Sequence, residues 1–389
     1  MKKFLFLLAL ILFIPLNVQA IDNNDTKIDE VQITEEQKQK MDQLYDYISN
    51  MQNDYEILRG LNPKEFVENY MKTGDGGFSI QGLSKTLLMY SVKEILASSK
   101  LVGSIIIIAI VSALLNNLQQ AFSNENLSNI AHFACYSVMI ILVSKGFYMG
   151  IDVARTAIKE MSDFITALFP VLMMLLASVG GFAEATLMDP VIMAISSIGA
   201  KFYSTVLIPV ISMGFVLDFV NNICDDYKIS NLTNLLKKSA LWVQGIFLTG
   251  FIATITVRSI ASKSIDAVTM KTAKFAVDSF IPVIGKTLSD AISTVAGYTV
   301  LLKNAISTVG LLIVLMIVLM PIIKILIMAL IYKLTAAILE PISDKKIVSV
   351  INSAGGSLII ISSCVISVSI MFFIMIAIVA GTGKSIIMI

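Results

Sequence analysis

Residues 306–339 read ISTVGLLIVLMIVLMPIIKILIMALIYKLTAAIL, with Lys324 and Lys333 as the only charges. A helix needs roughly 20 predominantly apolar residues to cross a bilayer. The run is longer than one crossing and Pro321 and Lys324 interrupt it, so it divides into two expected spans, 306–320 and 322–339. Further runs of this kind lie at 101–117, 129–149, 164–182, 190–216, 239–257 and 358–380. The expected count is seven or eight spans, with six as the lower reading. Hydrophobic residues make up 56% of the chain and charged residues 15%, which excludes an ordinary water-soluble domain and any nucleic-acid partner that would need a basic surface. The fold class is all-α: a polytopic helical membrane protein, with membrane lipid as its solvent.

The ends add a direction. Met1-Lys2-Lys3 precedes an apolar stretch at 4–16, FLFLLALILFIPL, and then Val18-Gln19-Ala20. This is the pattern of a signal peptide cleaved after Ala20, with an uncleaved anchor as the alternative. Residues 21–80 carry 13 Asp/Glu and 6 Lys/Arg by count, a net of −7, so they form a small acidic extracytoplasmic region. Thr34 and Gln37 fit a capping box. The helix after them sets Met41, Leu44, Ile48 and Met51 on one stripe. Asn62-Pro63 with Glu65 starts a second helix, and Gly74-Asp75-Gly76-Gly77 ends it. A region this small buries little core, so it leans on a partner or on the membrane.

The rest divides as an amphipathic helix at 81–99, membrane helices at 100–258 (about five spans), an amphipathic or re-entrant segment at 259–304, and two or three spans at 305–389. In 81–99, Leu83, Leu87, Val92, Ile95 and Leu96 share a face, while Lys85, Lys93 and Glu94 lie elsewhere; such a helix lies on the membrane surface or packs on a bundle. Five spans would bring 258–286, with Arg258, Lys263, Lys271, Lys274 and Lys286, to the side opposite the N-terminal region. Lysines fall on both sides, and orientation stays open. The centre of the amphipathic segment, Phe280-Ile-Pro282-Val-Ile-Gly285, allows a bend; it is either a re-entrant element near a path or a surface connector.

Little in the chain points to catalysis. Gly285-Lys286-Thr287 and Gly383-Lys384-Ser385 resemble the end of a phosphate-binding loop, but Phe280 and Ile378 stand where that loop needs glycine. His132 is the one histidine, and with Cys135 it offers two ligands where a structural zinc site takes four. No cofactor, metal or catalytic set is expected, and the chain is read as a non-enzyme. Charges at membrane depth are the better candidates. Lys201 and Lys324 are expected to face a cavity or a partner, whereas Lys145 and Lys333 reach water from near span ends. Gly146-Phe-Tyr-Met-Gly150 permits a close helix contact.

TAKFAVDSFIPVIGK at 272–286, continuing through LSD at 288–290 to LLKN at 301–304, resembles the stage III sporulation protein AE family. So do Tyr227-Lys228, NLTNLL at 231–236 and IYKLTAAILEP at 331–341, and the likeness extends along most of the chain. The resemblance implies a polytopic component of the mother-cell membrane facing the forespore, in a channel or secretion-like complex that supports late forespore transcription. It implies as partners a cytoplasmic ATPase and other sporulation channel membrane proteins. It carries no catalytic residues over. On this reading Phe280, Pro282 and Gly285 lie near a translocation path. The rival reading is a self-sufficient secondary transporter using Lys201 or Lys324.

Overall fold

The computed structural model describes residues 34–74, 76–77, 80–122, 125–223, 229–280 and 285–382. Residues 1–20, read as a signal peptide, lie outside them, as does Pro282. Every regular element among the described residues is helical. Two short helices come first, α1 (Glu35–Asp54) and α2 (Pro63–Thr73), followed by α3 (Ile80–Phe122) and α4 (Glu125–Ser178). Next are α5 (Phe182–Phe202), a π turn (Tyr203–Leu207) and α6 (Ile208–Ile223). The chain closes with α7 (Ser230–Phe280), α8 (Gly285–Leu339) and α9 (Lys345–Gly381).

The N-terminal helices start as the residues dictate. The Gln37 side-chain oxygen accepts the Thr34 N–H at 3.0 Å. The Asn62 side chain accepts the Glu65 N–H with Pro63 following it, and Gly74 closes α2 with a φ of 73°, a conformation that costs glycine nothing. Met41, Leu44, Ile48 and Met51 are all buried. Their cover is neither lipid nor another protein. Gln37 Nε2 donates to Ser178 Oγ at 2.6 Å, and Tyr47 stacks on Phe164 at 6.5 Å between centroids. Helix α1 therefore runs antiparallel along 164–178 of α4.

Six helical stretches are long and apolar enough to cross a membrane among the described residues: Ser84–Leu114, Ala134–Ser178, Met193–Asn221, Ser230–Asp266, Ala296–Leu339 and Lys345–Gly381. This is the lower of the expected counts, six in place of seven or eight, because two pairs of runs are single helices. Runs 129–149 and 164–182 belong to α4, which continues through Pro170 and is about 80 Å long. Runs 306–320 and 322–339 belong to α8, which continues through buried Pro321. Proline removes one backbone hydrogen bond and kinks a helix; inside a bundle the neighbours can cover the loss. The 164–182 run is apolar because α1 covers one side of it, and exposed Glu35, Glu36, Asp42 and Asp46 on α1 would not enter hydrocarbon. Pro209 has the effect of a break: the π turn, a wider coil that spares the preceding carbonyls, ends two residues before it.

Stretch 100–258 thus takes in four helices long and apolar enough to cross where about five were expected. Ser178 lies beside α1, and the Ala183 N–H donates to Asp266 Oδ1 at 2.8 Å. Arg258 therefore lies toward the same end as α1, contrary to the opposite side expected from five spans. The separate segments also merge. The 81–99 helix is the first part of α3, residues 259–280 finish α7, and 285–304 begin α8.

Helices α4, α8 and α9 form the centre. A Cβ on Gly355 of α9 would meet the Ala329 carbonyl oxygen of α8 at 2.9 Å, and one on Gly310 of α8 would meet Leu168 of α4 at 2.6 Å. Gly150 of the GxxxG pair is pressed against Leu358 of α9. Glycine at these three crossings lets the backbones approach.

Candidate functional site

Polar and charged groups inside the bundle fall into five places. Glu94 of α3 and Lys324 of α8 pair at 3.6 Å. The expectation that Lys324 meets a partner thus has a named partner, and the logic of α3 is inverted relative to a surface helix. Leu88, Met89, Val92, Ile95 and Leu96 are exposed while Glu94 is buried. That is the arrangement of a helix whose outer solvent is apolar.

Asp218 of α6, Lys237 of α7 and Ser353 of α9 form the second group. Lys237 Nζ lies 2.5 Å from Asp218 Oδ2 and 2.9 Å from Ser353 Oγ, which itself donates to Asp218. Asp218 is mostly covered, with 18% of its side chain exposed.

The third group is neutral. Gln244 of α7 donates from Nε2 to the Ser363 carbonyl at 2.8 Å and to Ser367 Oγ at 2.5 Å. Its Oε1 accepts from Ser363 Oγ and Cys364 Sγ. Tyr203, in the π turn, donates to the Gln244 carbonyl at 3.5 Å. An amide so satisfied holds α7 and α9 in one register.

The last two groups sit at helix ends. Lys303 is fully buried (0% exposed), and its Nζ donates to the carbonyls of Val379 at 3.0 Å, Ala380 at 3.4 Å and Thr382. These are the last carbonyls of α9, where the helix dipole is negative. At the other end the Asp344 side chain accepts the Lys346 N–H at 2.7 Å, so α9 has an acid at its start and a base at its finish. Asp266 does for α5 what Asp344 does for α9, from another helix.

Lys201, expected to face a cavity or a partner, is exposed on α5, and its carbonyl accepts from Thr205 Oγ1 at 2.6 Å. It joins none of these groups. Phe280 and Gly285 end α7 and start α8; their side-chain surroundings, like Pro282, fall outside what is described. Lys303, Glu94 and Asp266 were not singled out from sequence. The available signal was a charge embedded among apolar residues, as in YTVLLKNAIS at 298–307.

The outer surface carries a sixth feature. Lys145, Asp152, Arg155, Lys159 and Asp163 of α4 are all exposed, and at 100° per residue they fall within one stripe about 100° wide. Leu358 of α9 touches Gly150, Ser363 and Ser367 of α9 touch Gln244, and Leu168 touches Gly310. The stretch of α4 between Gly150 and Leu168 is therefore abreast of Gln244 on α7. Around Gln244 the outer surface is Leu241, Trp242, Val243 and Ile246, with Trp242 74% and Ile246 68% exposed. One side of the bundle is apolar at a depth where the other is charged. A lipid-facing charge at that depth costs about 2.5–3.5 kcal/mol, so charges on the α4 side do not all face lipid. Near the top of the stripe, burial first and then Asp163 and Glu160 hold the Tyr47 phenol above its usual range; the charged side runs on into acidic α1.

The family model for stage III sporulation protein AE matches residues 61–383. A stage III sporulation protein AE of Bacillus subtilis (strain 168) is 33% identical over 396 residues, covering 99% of this chain and 98% of that protein. No solved structure matches. The match takes in α2, all six long apolar helices and both glycine-lined crossings of α8, and the chain belongs to the stage III sporulation protein AE family.

Proposed function

We propose that this protein is a non-enzymatic, multi-pass subunit of a channel or secretion-like complex in the mother-cell membrane facing the forespore. On this reading its partners are other sporulation channel membrane proteins and a cytoplasmic ATPase, and it supports late forespore transcription. Family membership supplies the setting. The observation that carries the subunit reading is the two-sided outer surface: α7 presents Trp242 and Ile246 where α4 presents Asp152 and Arg155. A bundle surrounded by lipid would be apolar on every side at that depth. A subunit presents one side to lipid and the other to its assembly. The charged groups inside the bundle support a scaffold role, since Glu94 with Lys324, Asp218 with Lys237, Asp266 and Lys303 each bridge two or more helices.

The test is a mild-detergent pull-down of the tagged protein from sporulating cells, with identification of what accompanies it. Recovery of a cytoplasmic ATPase with other sporulation membrane proteins is the expected result. Recovery of the protein alone overturns the subunit reading. It would move attention to a secondary transporter, whose test is solute uptake by purified vesicles and its loss in Lys324→Ala.

A further inference from the structure

We infer that the exposed charged side of α4, from Lys145 to Asp163, lines a water-filled path through the assembled complex and passes hydrated small solutes of either charge sign. The inference rests on the subunit reading above and goes beyond it by naming the helix and the chemistry of the path. Three observations carry it. Lys145, Asp152, Arg155, Lys159 and Asp163 share one stripe of a continuous helix and are exposed. From Lys145 to Asp163 the helix rises about 27 Å, close to the thickness of a bilayer's hydrocarbon core. Its stretch from Asp152 to Asp163 is abreast of the apolar outer side of α7 through the contacts of Gly150 and Gln244 with α9, and exposed Tyr148 lies in the same stripe between Lys145 and Asp152. Its upper end reaches α1 where Tyr47 packs on Phe164, and there the acidic helix continues the polar surface. Three cations and two anions are interspersed along it in the order Lys145, Asp152, Arg155, Lys159, Asp163, so neither sign of solute meets a uniform field. The bend at 280–285, expected from sequence near such a path, is not needed for it.

Single cysteines test the inference at positions 152, 155, 159 and 163, in a chain whose own Cys135, Cys224 and Cys364 are replaced by alanine. Controls at Ile246 and Val257 on α7 read the lipid-facing side. Membranes containing the assembled complex are treated with membrane-impermeant methanethiosulfonates, one cationic and one anionic. A thiol in water ionises and reacts; a thiol in hydrocarbon does not, so the α4 positions are expected to react at least about tenfold faster than Ile246→Cys and Val257→Cys. The two reagents are expected to agree within about tenfold, whereas a path of one sign would hold back the like-charged reagent by more. Equal rates on α4 and α7 overturn the inference. So does labelling of the protein alone that disappears in the complex, which would make the α4 side a contact for a polar partner. Either result with partners still recovered in the pull-down leaves the subunit reading standing. Recovery of the protein alone removes that reading and this one with it. If the cysteine-free chain is not recovered from membranes, the native cysteines stay in place and their labelling background is subtracted, with the same two expectations.

Discussion

Helices α4 and α7 have the same mean hydropathy over their most apolar windows, yet their outer sides differ in kind. Around Gln244, α7 shows Leu241, Trp242, Val243 and Ile246; at the same depth α4 shows Asp152, Arg155 and Lys159. Both are long enough to cross, and an average over residues cannot tell them apart. What distinguishes them is where their apolar residues go. Between Gly150 and Leu168 those of α4 turn inward, with Ile158, Met161, Phe164 and Leu168 fully or almost fully buried. Around Gln244 those of α7 turn outward, while its inner side holds Gln244 and Ser259 together with Ala240, Phe251 and Ile255. A membrane helix with apolar residues inside and charges outside is built like a helix of a soluble protein, and its outer solvent has to be polar.

The sharpest contrast is between charges held inside the bundle and charges on the α4 side. Lys237→Met removes the ammonium that pairs with the mostly covered Asp218 carboxylate. Breaking a buried pair by removing one partner costs about 3–5 kcal/mol, so this variant is expected to lose most of its thermal stability in detergent, and a double change that also converts Asp218 to Leu recovers part of it. An unfolding midpoint unchanged from the parent would mean that the pair is hydrated. Next in size is a charge placed on the α7 side. Ile246→Asp puts a carboxylate where the surface is apolar, at about 3 kcal/mol against membrane insertion. The amount of variant integrated in membranes should fall well below that of the parent; parity would erase the difference between the two sides. Smaller again is Asp266→Ala, which removes the acceptor for the Ala183 N–H at the start of α5. The loss of such a cap is about 1 kcal/mol, read as a modest drop in the same midpoint.

The parts legible in the sequence are those set by neighbours along the chain. The caps at Thr34 and Asn62, the end at Gly74 and the buried stripe of α1 follow from spacings of three and four residues. Apolar length marked where membrane helices run. It did not say where they end, because Pro321 and Pro170 interrupt a run on the page without interrupting the helix in a bundle. Nor did it say what covers an apolar run: 164–178 is shielded by α1, a helix more than one hundred residues earlier. Lys324 is legible as a charge needing company, but Glu94 lies 230 positions away, on the polar side of a helix that the sequence leaves either on the membrane surface or packed on a bundle. Lys303 meets carbonyls 76 residues on, at a helix end that sequence places only approximately. The charges of α4 were set aside in dividing the helix into two spans, since 150–163 then fell between them.

The smallest expected effect decides most about the two sides. Arg155 is exposed on α4, and Arg155→Ala removes a charge without opening a cavity. If its outer solvent is water, the substitution belongs with ordinary surface changes, and the unfolding midpoint moves by no more than about 0.5 kcal/mol in either direction. If its outer solvent is hydrocarbon, the arginine is a burden of about 2.5–3.5 kcal/mol in the parent, and alanine relieves it. The two cases differ in sign as well as size: a variant markedly more stable in membranes than the parent would place the α4 side in lipid. An unchanged stability, set beside a failed insertion for Ile246→Asp, would mean that one bundle meets two solvents at the same depth. That condition is met when the second solvent is enclosed by other subunits, since lipid alone offers only one.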